Sequence, residues 1–255
     1  MALLQNPPLL EAIFELRWGE HAPGQFQYTN DDQTLFAGKV SALASLNGYD
    51  HIEMLGDGSP SVFPMTLTHR YRKAENKWPC FQTGLGLFTV NQVTEGYSWS
   101  GFKQAIQECL KIFDQAGPHK LKTNKDSLVL ILRYQDAFFP KNGNSAEKFL
   151  SDTFHINTSL PEKFLSKDTV EEEIVAVNCQ YTIKSLDPKG EAVVKVASAI
   201  INDMPGFILE TLVVSKVSSD FTTDIDQTMI LEWLDKAHDL QKHSFGTLVN
   251  SEVCK

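Results

Sequence analysis

Arginine next to an aromatic ring recurs along this chain, as Arg17-Trp18, Arg133-Tyr134 and His69-Arg70-Tyr71-Arg72. A guanidinium is permanently charged, presents a fork of donors and stacks on aromatic faces, so such pairs can hold anions or planar groups. Arg17, Arg70, Arg72, Arg133 and Tyr134 are therefore the candidate ligand- or partner-binding residues. The competing possibility is neutralisation within the chain. For Arg17 and Arg133 the nearest carboxylates in sequence are Glu15 and Asp136.

The other reactive residue types form weaker patterns. Glu11 and Glu15 share one face of a strand pattern, as an acid–base pair would, but nothing in the sequence sets a partner beside them. His238 and His243 are five residues apart, about 140° around a helix, whereas metal-binding pairs on a helix use three or four. With Asp235 and Asp239 they read more simply as a solvated face with i, i+4 pairs. Glu171-Glu172-Glu173 reads as a charged strand edge that resists pairing. Gly84-Leu85-Gly86 lacks the third glycine of a dinucleotide fingerprint, and no Gly-x-Ser-x-Gly elbow or Walker loop occurs. No catalytic residue, cofactor or metal site is assigned on this basis. The four cysteines are at least 29 residues apart, which excludes Cys-x-x-Cys motifs, and they are expected to be reduced, mostly buried thiols.

These residues need a frame to position them. Residues 11–18 alternate polar and apolar, the period of a half-buried strand that starts after Pro7-Pro8. Asn30-Asp31-Asp32 can cap a helix carrying Leu35, Val40, Leu43 and Leu46, closed by Asn47-Gly48. Four strands are expected over 50–55, 61–73, 78–83 and 87–93, the second being the longest. A helix capped by Ser98 then runs to Gly117-Pro118. The pattern restarts with a strand over 128–139 and a short helix capped by Ser145. Residues 156–170 read as irregular. Strands follow over 174–183, 191–200 and 207–217, then a helix capped by Asp224 or Asp226 that carries Trp233.

The expected fold is thus α+β, with two similar halves, residues 1–120 (β-α-β4-α) and 121–255 (β-α-β3-α), packed as one unit. The order resembles that of TATA-binding-protein-like and helix-grip folds, which have antiparallel sheets with long helices on one face. Phe14, Leu16, Trp18, Phe63, Phe113, Leu130, Leu132 and Trp233 are the expected core.

Composition bounds the setting. The chain has 255 residues, 42% hydrophobic and 22% charged, enough for a substantial core. No run approaches the roughly 20 apolar residues of a membrane span, and the N-terminal segment lacks the basic region of a secretory signal. A cytoplasmic location without membrane contact is expected. The net charge of −9 disfavours nucleic acid as a partner.

Several segments together carry a family resemblance: Asn6 to Trp18 (NPPLLEAIFELRW), His69 to Arg72, Trp78 to Gly84 (WPCFQTG), Phe88 to Asn91, Tyr97 to Trp99, Leu132 to Tyr134, and Trp233 to His238 (WLDKAH). The set resembles a sporadically distributed prokaryotic family of unknown function, across nearly the whole chain. Where the family pattern carries Asn after the Arg-Tyr pair, this chain has Asp136. Patchy distribution implies genes on mobile elements, including phage-defence and toxin–antitoxin-like cassettes. The expected function is a non-enzymatic binding or adaptor protein with a protein partner encoded nearby. The alternatives are a binder of a small anionic ligand, or an enzyme, with a pocket between sheet and helix, and then a nucleic-acid binder. The sequence does not fix the oligomeric state.

Overall fold

The computed structural model describes residues 8–56, 64–117, 128–140, 145–165, 174, 176–217 and 226–250. Its frame is a nine-stranded antiparallel sheet. The strands are β1 (Leu9–Arg17), β4 (His51–Met54), β5 (Leu67–Arg72), β6 (Cys80–Gly84), β7 (Leu87–Val93), β8 (Leu128–Phe138), β9 (Asn178–Leu186), β10 (Lys189–Ile201) and β11 (Met204–Val217), in the order β4-β5-β6-β7-β1-β8-β11-β10-β9. A small hairpin, β2 (Glu20–Ala22) and β3 (Gln25–Phe26), stands apart. The helices are α1 (Asn30–Thr34), α2 (Phe36–Leu46), α3 (Trp99–Ala116), α4 (Ala146–Phe154), α5 (Glu162–Leu165) and α6 (Gln227–Leu248).

Strand alternation decides the two faces. Tyr71, Phe81, Val90, Phe14, Leu132 and Val213 are register partners across six strands, and each is at most 1% exposed. This row packs under α2, α3 and α6, joined by Phe36, Val40, Phe113, Trp233 and Leu234 in one large core. A second core lies on the same sheet face, where Phe138, Phe207, Leu209 and Val196 meet Phe149, Leu150 and Phe154 of α4. Side chains two residues apart along a strand share a face, so both cores hang from one side of one sheet.

The expected core residues Phe14, Leu16, Trp18, Phe113, Leu130, Leu132 and Trp233 are buried, and Phe63 lies outside the described residues. Most helix ends are where the caps put them: the Ser98, Ser145 and Asp226 side chains accept from the backbone N–H of Gly101, Lys148 and Met229. The first helical region differs. Thr29, not Asn30, is the cap, in a reciprocal capping box with Asp32, and the chain divides into α1 and α2 at Leu35. The strand expected over 61–73 covers only Leu67–Arg72 of the described residues. Met65 adopts φ +58°, which an extended strand cannot contain, and residues 61–63 lie outside the described ones. Of the four strands expected over 50–93 the longest among the described residues is β7, with seven residues against six in β5, and β10 and β11 are longer still, with 13 and 14. Residues 162–165, within a stretch expected to be irregular, form α5. Cys80 and Cys109 are buried free thiols, and Cys179 is partly exposed. No helix among the described residues is long and apolar enough to cross a membrane.

Candidate functional site at the seam of the two cores

One step along the strands from the apolar row, the same face turns polar. Gln92, Ala12, Tyr134, Thr211 and Val194 are register partners there, and Asp136 follows Tyr134 by two residues. These side chains lie between the two cores, where α6 crosses the sheet. A cavity of about 210 Å³ opens at this seam. Pro8, Leu9, Tyr134, Asp136 and Thr211 form its floor, and Tyr97, from the loop before α3, forms a wall. His238, Gln241, Lys242 and Phe245 of α6 close it. Their spacing of i, i+3, i+4 and i+7 puts these four on one helical stripe.

Hydrogen bonds fix the polar groups. The Tyr97 and Tyr134 hydroxyls share a bond at 2.7 Å, and the Tyr134 hydroxyl meets His238 Nδ1 at 3.0 Å. The His238 ring lies flat on Trp99, 3.9 Å between centroids and 7° between planes. Gln241 donates from Nε2 to the Leu132 and Thr211 carbonyls, at 3.0 and 2.9 Å, which ties α6 to β8 and β11. The result is a rigid Tyr–Tyr–His chain in which each hydroxyl can donate or accept.

Burial sets the protonation states. Loss of water pushes the Tyr97 hydroxyl up to about 12 and the Tyr134 hydroxyl well above its usual range. It lowers His238 to about 4, so the imidazole is neutral near pH 7. Asp136 is 5% exposed, and burial alone raises its carboxyl to about 7. Among the described residues it has no hydrogen-bond or ion-pair partner, although it lines the cavity. A buried carboxyl is normally paired, because desolvating an unpaired charge is costly.

The candidate arginines are elsewhere. Of the five residues singled out from the sequence, only Tyr134 lines the cavity. Arg17 and Arg133 point from the opposite sheet face and converge on one buried carboxylate. Arg17 Nη2 lies 2.5 Å from Glu15 Oε2, and Arg133 Nη2 lies 2.9 Å from Glu15 Oε1. Arg133 also reaches Glu210 at 3.5 Å. Asp136 is not its partner: positions 133 and 136 differ by an odd number, so they face opposite sides. Arg70 and Arg72 both bind Glu53, at 3.1 and 3.0 Å, and Arg72 covers the Trp78 ring at 4.4 Å. Glu11 accepts from Asn91 Nδ2 at 2.7 Å, so Glu11 and Glu15 are each engaged separately. His238 is drawn into the cavity while His243 is exposed, and no group of three or more His, Cys, Asp or Glu that could hold a metal occurs among the described residues.

Sequence reasoning missed Asp136, Tyr97 and His238 as a set. The signal available was parity: an aspartate two residues after Tyr134, on the apolar side of a strand, must be buried.

No family model matches the chain, and no curated protein matches it. Among solved structures, the di-domain ARO/CYC StfQ from the steffimycin biosynthetic pathway aligns over 85% of this chain and 92% of its own, at 12% identity and a TM-score of 0.19. A likeness at that TM-score does not establish a shared fold.

Proposed function

We propose that this protein binds a small molecule in the cavity between α6 and the sheet. The observation that carries this is the unpartnered Asp136 carboxyl, buried beside the Tyr97–Tyr134–His238 chain in a cavity with apolar walls. Concave sites with apolar walls and a few fixed polar groups are the usual form of a ligand pocket. The four arginines on which the alternative of an anionic ligand was based are paired away from this cavity, so they do not favour an anion here.

We also read the sheet as two related halves meeting at β1 and β8. In support, the first strand of each half pairs with its last, β1 with β7 and β8 with β11, and β1 lies antiparallel to β8. In this reading the ligand sits at the junction of the halves, touched by Leu9 and Tyr97 from one and by Tyr134 and α6 from the other.

The test is a thermal-shift screen of a small-molecule library on the parent protein and on Leu9→Trp, whose indole would fill the cavity. Compounds that raise the melting temperature of the parent alone support the site. If every stabilising compound acts equally on both proteins, the site is wrong.

A second reading, the adaptor expected from the acidic balance, the half-polar strands and the want of a catalytic constellation in the sequence, is favoured by one feature. Edge strand β9 exposes Tyr181, Ile183 and Leu186, which could pair with a partner's strand. Its setting in a defence or toxin–antitoxin-like cassette rests on the resemblance alone. Retention of a stoichiometric protein partner by the parent, and its loss in Ile183→Lys, would support the adaptor.

A further inference from the structure

Resting on the ligand-site reading above, we infer that the ligand is a small primary amine, its ammonium seated on the Asp136 carboxylate and its apolar body against Pro8, Leu9 and Phe245. Three observations lead there. The first is the missing counterion: Asp136 is 5% exposed, lines the cavity, and has no cation or hydrogen-bond donor among the described residues. A buried charge of this kind becomes favourable when a cation is delivered to it. The second is the absence of a buried positive group to receive an acid. Arg17, Arg70, Arg72 and Arg133 are committed to Glu15 and Glu53, and Lys242 is solvent-exposed at the rim, where water and salt screen it. The third is size. About 210 Å³ is below the usual range for drug-sized ligands, so the body is small.

The hydroxyl chain suits such a ligand. An ammonium has three N–H donors and no acceptor. Asp136 accepts one, and the oxygens of Tyr97 and Tyr134 can accept others while the chain passes its own hydrogen on to His238 Nδ1. A neutral His238 keeps that nitrogen available as an acceptor.

The charged and titratable groups lining the cavity are Tyr97, Tyr134, Asp136, His238 and Lys242. Burial keeps Tyr97 and Tyr134 protonated and His238 neutral near pH 7, so among these three and Asp136 only the Asp136 carboxyl changes charge between about pH 5 and 9. Its burial, which raises the carboxyl to about 7, therefore sets the sign of the pH dependence. An amine requires the carboxylate and binds better above pH 7. A carbonyl or other neutral acceptor would use the protonated form and bind better below it.

The experiment is calorimetric titration of the full chain with benzylamine, benzyl alcohol and benzoate at pH 6, 7 and 8. The expected result is one site for benzylamine, tightest at pH 8, weakening towards about tenfold per pH unit below pH 7. In Asp136→Asn, benzylamine should lose roughly 30-fold or more while benzyl alcohol is unchanged. A circular-dichroism spectrum and melt of that variant confirm that it folds. The amine assignment is overturned if benzyl alcohol or benzoate binds as tightly as benzylamine at pH 8, if benzylamine binding does not strengthen from pH 6 to 8, or if the parent binds none of the three. The ligand site itself survives those outcomes when other compounds still stabilise the parent but not Leu9→Trp, and fails with them when none does.

Discussion

Replacing Asp136 by Asn should make the empty protein more stable at pH 8. The carboxyl titrates near 3.8 when exposed and is raised to about 7 by burial in the fold. Between those values the native state holds a proton that the unfolded chain releases. Stability therefore falls as pH rises from about 4 to 7 and is flat outside that window. Three units at about 1.4 kcal/mol each put the cost of the ionised, unpaired carboxyl at about 4 kcal/mol above pH 7. Asparagine has nearly the same shape and no charge, so the variant should recover up to about that amount at pH 8 and almost nothing at pH 4. Urea denaturation of both proteins at pH 4, 6 and 8 measures the difference directly. A variant less stable than the parent by the same margin at every pH would refute the reasoning, because it would mean that the carboxylate is satisfied inside the fold. A residue that costs stability when the site is empty is the kind retained for binding.

Other expected outcomes follow from the packing. Trp233 is 5% exposed and donates from Nε1 to Ser215 Oγ at 2.9 Å. Trp233→Ala should cost about 3–5 kcal/mol, and Trp233→Phe, which keeps most of the volume, roughly 1 kcal/mol more than a neutral change, by urea denaturation. Equal losses from both would mean that the hydrogen bond and not the packing dominates. Glu15→Ala should destabilise by about 1–3 kcal/mol, because it leaves Arg17 without its carboxylate and Arg133 with only the longer contact to Glu210. Arg17→Ala should cost about 1 kcal/mol or less, since Arg133 still neutralises Glu15. A melt in which Arg17→Ala is the worse of the two would contradict the shared-carboxylate arrangement.

Much of the frame was legible because period and caps are local properties. The alternation of residues 11–18 gives a strand whose Phe14 and Leu16 are buried, and Ser98, Ser145 and Asp226 mark helix starts by their own side chains. The turn of the chain at Met65 was not legible, since its N–H donates to the carbonyl of Leu85, twenty residues away in sequence. The arginines show the same limit. Their types announced anion chemistry, but which carboxylate they meet depends on register: Glu15 serves both Arg17 and Arg133 because β1 lies beside β8. Asp136 lies only three residues from Arg133 in sequence, yet strand parity turns it to the other face. There it meets Tyr97 and α6, whose approach is a tertiary event.

The location of the ligand tests the account most directly. Two-dimensional NMR of the labelled protein, titrated with benzylamine at pH 8, should shift Leu9, Tyr97, Tyr134, Asp136, His238 and Gln241 together, with saturation at one equivalent. Arg17, Arg70, Arg72 and Arg133, on their own paired surfaces, should stay in place. Shifts centred on those arginines or on β9, with the cavity residues unmoved, would contradict it.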